Sequence, residues 1–538
     1  MHDICSPILD PGEAVHTLID RLLADQQTLA PVLRFAQVHQ AGSTNARYYR
    51  DLIPLSRPKP GQQYAFEVDL DQCSGCKACV TACHNLNGLD EEETWRSVGV
   101  LYGETNGGPF QQAVTTSCHH CVDPGCLTGC PVKAYDKDPL TGIVRHLDDQ
   151  CIGCQYCILM CPYDVPKYNR ARGIVRKCDM CSSRLATGEA PACVQGCPNE
   201  AIRITLVDSQ ELLDRFRGDK STNNFLPTAP DPQSTVPTTR YVNSRPIPRG
   251  TKPAGAEILQ PAPSHLPLVF MLVLTQLAVG GFIWLAVLGC TKFEIVERES
   301  LLATTSVVAL FAGLLTSIFH LGRPHLAWRA LLNVRTSWMS REIALFVALT
   351  TAAVLDIGAR AAHSAFQSTA TWLCAITGLA AVFSSVMIYQ DTHRAFWNFK
   401  SGSIRFLGST LLLGSFLTML LCPGQEIAQF AAVLVVVTTA LKLDFELAIV
   451  RTSSADESLK RSAALMRGPL QRFTVARFIF GALGGLICPI FFLNAAAPHS
   501  LSILASGAFL FSFFGEILER FLFFTAVSPD RMPQPIVS

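Results

Sequence analysis

Sixteen cysteines crowd into residues 73–197 in four tight groups, and no other feature limits the fold of this chain so strongly. The groups are Cys73, Cys76, Cys79 and Cys83; Cys118, Cys121, Cys126 and Cys130; Cys151, Cys154, Cys157 and Cys161; and Cys178, Cys181, Cys193 and Cys197. Five others (Cys5, Cys290, Cys374, Cys422 and Cys488) are scattered. Such grouping favours metal binding over a disulfide framework, which belongs mostly to small secreted domains. The first and third groups read C-x2-C-x2-C-x3-C. In that run three thiolates wrap one face of an iron–sulfur cubane, and the fourth, past the turn, ligates the other cluster of a pair. Sixteen thiolates match four 4Fe-4S clusters. Proline follows the last cysteine in three groups (Pro131, Pro162 and Pro198); the first has His84 instead.

Cross-ligation suggests the partners. One pair of clusters uses Cys73, Cys76, Cys79 with Cys197, and Cys178, Cys181, Cys193 with Cys83. The other uses Cys118, Cys121, Cys126 with Cys161, and Cys151, Cys154, Cys157 with Cys130. Tetrahedral zinc also uses C-x2-C knuckles, but two full ferredoxin runs are far more specific. His119 and His120 read as structural, because the cysteine set is already complete. Lys77, Lys133, Lys167 and Lys177 read as solvated charges rather than as cations that tune a cluster. The first run recurs 78 residues later, as in a duplicated ferredoxin unit. Tyr64 to Leu70 alternates like a short strand, and Ile143-Val144 and Ile202-Arg203-Ile204 are similar pieces. The expected fold is α+β and ferredoxin-like, followed by an all-α membrane bundle.

The bundle is read from eight apolar segments near 266–289, 301–320, 343–362, 370–390, 404–422, 426–448, 475–495 and 500–523. Each is long enough to cross a roughly 30 Å hydrocarbon slab as a helix. No alternating barrel pattern is present, so helices alone satisfy the backbone. The sixth is interrupted by Lys442, Asp444 and Glu446, and the eighth by Glu516 and Glu519, to which no role is assigned. The expected divisions are an extension at 1–60, a four-cluster domain at 61–210, a proline-rich tether at 211–265, the anchor at 266–527 and a tail at 528–538. Ala14 to Gln27 has the spacing of a short amphipathic helix. Ten prolines between Pro227 and Pro267 predict an extended tether without a core, laid over a partner. Met1 to Asp10 carries Asp3 and Asp10 and starts no apolar core, so no signal peptide is expected. A net charge of +1, with no basic stripe, argues against a nucleic-acid partner.

Orientation follows from lysine and arginine. Twenty fall in the juxtamembrane stretch, loops and tail on the side of the cluster domain, against three (Lys292, Arg298 and Arg360) opposite. The bias predicts a multi-pass protein of the bacterial inner membrane with its clusters on the cytoplasmic face.

CSGCKACVTAC from Cys73, CHHCVDPGC from Cys118, CIGCQYCILMCPYDVP from Cys151 and KCDMC from Lys177 resemble the electron-transfer subunit of the dimethyl sulfoxide reductase family of molybdenum enzymes. FHLGRPHLAWRALLNVRTSWMSREI, Phe319 to Ile343, resembles the eight-helix anchor subunit of the same enzymes. The resemblance runs from Tyr64 to Val527 and implies a fusion of two normally separate subunits. It implies a catalytic partner subunit with a molybdopterin cofactor, and no molybdenum in this chain. It also implies that a quinol such as menaquinol is oxidised at the anchor. Electrons would enter at the cluster of Cys130, Cys151, Cys154 and Cys157 and leave from that of Cys73, Cys76, Cys79 and Cys197. The family associates a histidine and a glutamate at the positions of His320 and Glu342 with the quinol site.

The residues themselves point the same way. His320 ends the second segment and Glu342 opens the third, so both lie on the face that carries the cluster domain. A quinol site needs a proton acceptor at a membrane edge, and histidine and carboxylate can be tuned near neutral pH. Arg323 joins them as a candidate reacting group, and Asp391 and His393 come from the same face; the plainer role for each of the three is to snorkel to water. Rival readings are a conduit for a cytoplasmic nitrate or other oxyanion reductase, the same conduit run backwards for a molybdenum dehydrogenase, a proton-translocating module and a purely structural anchor.

Overall fold

A computed structural model describes residues 18–19, 22, 49–105, 108–218, 225–248, 250–290, 296–422, 426–452, 454, 456–495 and 497–533. The helix expected over Ala14 to Gln27 falls outside these residues except for Leu18, Ile19 and Leu22, which are exposed, Leu18, Ile19 and Leu22 alike being helical.

Among the described residues the cluster domain has ten short strands: β1 (Gln62–Asp69), β2 (Ser97–Thr105), β3 (Gly108–Thr116), β4 (Tyr135–Lys137), β5 (Val144–His146), β6 (Lys167–Asn169), β7 (Ile174–Arg176), β8 (Ile202–Asp208), β9 (Arg240–Val242) and β10 (Lys252–Pro253). The alternation at Tyr64 to Leu70 is β1, which buries Ala65, Phe66 and Val68. It pairs antiparallel with β8, Val68 opposite Ile202, so the two ends of the cysteine region close on each other. The β2–β3 hairpin goes beyond the strands expected from the sequence. Each cysteine group turns into a short helix, the longest being Ala78–Asn87.

The proline-rich stretch is not a free tether. Phe225, Leu226 and Val236 are buried in the core of the cluster domain. β9 pairs parallel with β1, and β10 pairs with β2. Proline excludes helix but keeps the backbone extended, and an extended segment can join a sheet edge and turn side chains inward. The cluster domain therefore extends to Pro253, and the expected boundary at residue 210 falls inside the helix Ser209–Arg217.

The anchor has helices α1 (Leu266–Gly289), α2 (Val296–Ile318), α3 (Trp338–Ala361), α4 (Gln367–Gln390), α5 (Phe399–Leu421), α6 (Glu426–Val450), α7 (Gln471–Asn494) and α8 (Pro498–Thr525). Among the described residues, seven are long and apolar enough to cross a membrane, and α6 packs with α5 and α7 in the same bundle. Several helices start earlier than their apolar runs because polar residues fill the first turn: Arg298 to Ser300 in α2, Lys400 in α5 and Arg472 in α7. The centre is α1 crossing α5 through small residues: a Cβ on Gly280 would lie 2.8 Å from the Cα of Gly414. In α7 a π-helical turn over Leu483–Ile487 precedes Pro489.

Four cations counted among the loop and tail charges lie inside the bundle. Arg405, Lys442, Arg477 and Arg520 are buried with Glu446, Glu516 and Glu519. Arg477 donates to both oxygens of Glu446 at 2.8 and 2.9 Å and pairs with Glu516 at 3.1 Å. Lys442 meets Glu516 at 2.5 Å, and Arg405 and Arg520 flank Glu519 at 3.5 and 3.4 Å. Hydropathy along one segment cannot distinguish a charge aimed at a neighbouring helix from one aimed at water. Sixteen outer cations remain against three, so the bias survives.

Candidate functional site

None of the sixteen clustered cysteines is in a disulfide. Cys118, Cys121, Cys126 and Cys161 line one common pocket. Cys73, Cys76, Cys79 and Cys197 line another. Cys83 lies within electrostatic reach of Cys193, Cys181 and Cys178. Cys130 stands in the same relation to Cys151, Cys154 and Cys157. The turns that aim these thiols pass through left-handed residues: Gly75 and Lys77, Gly153 and Gln155, Met180 and Cys181.

Among the described residues no three His, Cys, Asp or Glu side chains converge as one bound metal ion would require. Four thiols around a void suit a cubane rather than a lone zinc ion, so these residues fit iron–sulfur clusters. Burial pushes the Cys83 thiol up to about 12, helped by Cys193, and Cys130 and Cys161 up to about 11. Iron must therefore displace protons here as it binds.

Two buried cations stand among the thiols. Lys177 is fully enclosed, with Nζ 3.6 Å from Cys118 Sγ and donating to the Cys178 carbonyl at 2.9 Å. This overturns its reading as a solvated charge: β7 ends just before it and carries it inward. Lys77 and Lys133 are exposed as expected, and Lys167 pairs with Asp164 at the surface. Arg96, which belongs to no motif and so gave no signal, is buried and donates to Thr115 and Ser117 at 3.1 and 2.8 Å. His119 and His120 are structural. His119 Nδ1 meets the Thr239 hydroxyl at 2.8 Å, and His120 Nδ1 accepts the Val144 amide at 3.1 Å.

The loop between α2 and α3 docks on the third cysteine group. The amide of Arg323 donates to Ile152 at 3.0 Å and its guanidinium to Asp148 at 2.9 Å, both carbonyls. Asn333 holds the Cys130 carbonyl at 2.8 Å, and Ser337 that of Gly129 at 2.7 Å. Tyr156 donates to the Ile388 carbonyl at the end of α4 at 3.0 Å. Cys130, Cys151, Cys154 and Cys157 therefore lie at the anchor face of the cluster domain.

His320 follows α2 and faces the backbone of Cys154; burial lowers its pKa. Its ring lies 5.2 Å from that of His265, edge to face. Burial, then His320, brings His265 down to about 4. Glu342 is buried in the second turn of α3 and accepts from the Ser385 hydroxyl. Among the described residues no hydrogen bond or ion pair joins His320 to Glu342. Arg323, expected beside them as a reacting group, uses its amide and one guanidinium nitrogen to dock on the cysteine loop. Burial raises Asp391, partly offset by His393 and Arg341. Sequence reasoning missed His265; its only signal is a histidine directly before an apolar run.

Residues 110–206 match the model of a 4Fe-4S dicluster domain, and residues 262–526 that of the DMSO reductase anchor subunit DmsC. The B subunit of anaerobic dimethyl sulfoxide reductase from Escherichia coli K12 is 36% identical over 192 residues, 34% of this chain and 92% of that protein. Thiosulfate reductase electron transfer subunit PhsB of Salmonella typhi is 37% identical over 161 residues, 29% of this chain and 83% of its own length. Hydrogenase-2 operon protein HybA of Escherichia coli O157:H7 is 39% identical over 171 residues, 27% of this chain and 52% of its own. The chain is a multi-pass membrane protein with an iron–sulfur domain on one face, and it belongs to the dimethyl sulfoxide reductase family as a fusion of the iron–sulfur electron-transfer subunit with the membrane anchor.

Proposed function

We propose that this chain oxidises a membrane quinol, such as menaquinol, and passes the electrons through four 4Fe-4S clusters to a molybdopterin catalytic subunit of the dimethyl sulfoxide reductase type. The ligand sets are Cys73, Cys76, Cys79 and Cys197; Cys83, Cys178, Cys181 and Cys193; Cys118, Cys121, Cys126 and Cys161; and Cys130, Cys151, Cys154 and Cys157. Bound clusters supply one-electron carriers spaced from the membrane face outward. One observation carries the reading: His320 lies against Cys154, so a group able to accept a quinol hydrogen bond stands beside the innermost thiols. Glu342, held by Ser385, receives a proton, and Arg323 keeps the cysteine loop in register with the membrane. A thiosulfate reductase, one of the other oxyanion reductases, as partner is the second reading, favoured by the likeness to PhsB.

In the His320→Ala complex, quinol should no longer reduce the clusters, while dithionite still does. Unchanged reduction by quinol overturns the site. Anaerobically prepared protein should hold sixteen irons per chain; zinc, or far fewer irons, overturns the conduit. The cluster domain is read as cytoplasmic from the charge bias. Protease should then cut it in inside-out vesicles and spare it in right-side-out ones; the reverse places it on the other side.

A further inference from the structure

His265 stands immediately before α1, with φ 46° and ψ 48°. That is the left-handed region, which residues other than glycine seldom occupy and which surrounding structure must enforce. Nothing in starting a helix asks for it. Its own carbonyl accepts the amides of Leu268 and Val269, so that carbonyl is engaged in opening α1. The side chain is not: neither ring nitrogen has a hydrogen-bond partner among the described residues.

The ring is nevertheless held in place from two sides. It lies edge to face with His320, centroids 5.2 Å apart, and with Phe524 at the end of α8, 5.7 Å apart. Three elements distant in sequence thus meet at one point on the cluster face: the start of α1, the end of α2 and the end of α8. A side chain needed only to fill this corner would be apolar and would sit on an unstrained backbone. An imidazole with open nitrogens, fixed against a second imidazole beside the Cys154 loop, is suited to hold a ligand oxygen.

We propose that His265 is a second hydrogen-bonding residue of the quinol site, engaging a ring oxygen of the quinol headgroup together with His320. The assignment rests on the quinol reading given above and extends it to α1, so that the site draws on three elements instead of one loop. Its left-handed backbone aims the ring across the end of α1 toward His320 instead of along the helix surface. Phe524 supplies an apolar wall, which an uncharged aromatic headgroup requires.

The test uses the full membrane complex and two substitutions that tolerate a left-handed backbone. His265→Gly removes the ring; His265→Asn keeps a hydrogen-bonding group. Binding of a 2-alkyl-4-hydroxyquinoline N-oxide, a quinol analogue, is measured by fluorescence titration, alongside iron content and the dithionite-reduced spectrum. His265→Gly should bind the analogue about tenfold or more weakly, the loss expected for one hydrogen bond in a closed site, with iron and spectrum unchanged. His265→Asn should recover most of the affinity. Wild-type affinity in His265→Gly overturns the proposal, and so does equal loss in both variants, which would mark a packing role. Loss of iron in His265→Gly would assign the ring to folding and also overturn it. His320→Ala, measured in parallel, separates the two readings. If it binds the analogue normally, the quinol site itself is wrong; if it fails to bind while His265→Gly succeeds, only His265 is excluded.

Discussion

Gly322 of the anchor lies directly on Gly173 of the cluster domain, with no side chain between them. A Cβ on Gly173 would fall 2.7 Å from the Gly322 carbonyl oxygen, and one on Gly153 would fall 2.9 Å from the Gly322 Cα. Gly153 and Gly173 also have positive φ, 71° and 66°. Backbone therefore meets backbone two residues beyond His320 and beside Cys151 and Cys154. Gly322→Ala should destabilise the protein by about 1–3 kcal/mol, as overpacking does. Gly358 has nothing near its Cβ position, so Gly358→Ala should be stabilising by about 0.5–1 kcal/mol. Thermal unfolding of the detergent-solubilised protein compares the two; equal behaviour would show that the seam yields.

Tyr156 ties the short helix after Cys154 to the end of α4. Its hydroxyl is the group that reaches the Ile388 carbonyl, and the ring is fully buried. Tyr156→Phe keeps the packing and removes the bond. A loss of about 0.5–1.5 kcal/mol is expected in the same unfolding measurement, with iron content retained.

The buried charges in α5 to α8 hold one another. Arg477→Leu leaves Glu446 and Glu516 without their guanidinium and should cost about 3–5 kcal/mol. Asp530→Asn breaks the outer pair with Arg461, whose partners are 51% and 27% exposed, and should cost at most about 1 kcal/mol. Heat inactivation of the two variants ranks them; a mild Arg477→Leu would mean that water compensates the carboxylates.

Lys177 places a positive charge beside Cys118 and close to Cys126 and Cys178. Positive charge favours the reduced, more negative cluster. Lys177→Met should lower the potential of the neighbouring cluster by on the order of 50–150 mV, from a charge–charge energy of about 1–4 kcal/mol at this range. A redox titration followed by paramagnetic resonance reads the change; an unmoved midpoint would assign Lys177 to its carbonyl contacts alone.

Local pattern carried much of this architecture. Thiol spacing and apolar length each describe a few consecutive residues, so the cysteine groups and α1 could be read directly. What failed depended on distant neighbours. Arg96 and Lys177 look like ordinary surface cations until β3 and β7 enclose them. Glu516 and Arg477 lie 39 positions apart in the sequence and meet only because α7 and α8 pack together. His265 belongs to no motif; its neighbour His320 arrives 55 residues later. The prolines after residue 211 implied the extended backbone correctly but not the sheet it would join.

That last segment also sets an order of assembly. β9, which completes the sheet around β1, is translated after every clustered cysteine and shortly before Leu266 opens the first apolar helix. The strap cannot close over the metal-binding half until the ribosome has nearly reached the bilayer-bound part. Every copy made thereby carries both halves in a one-to-one ratio.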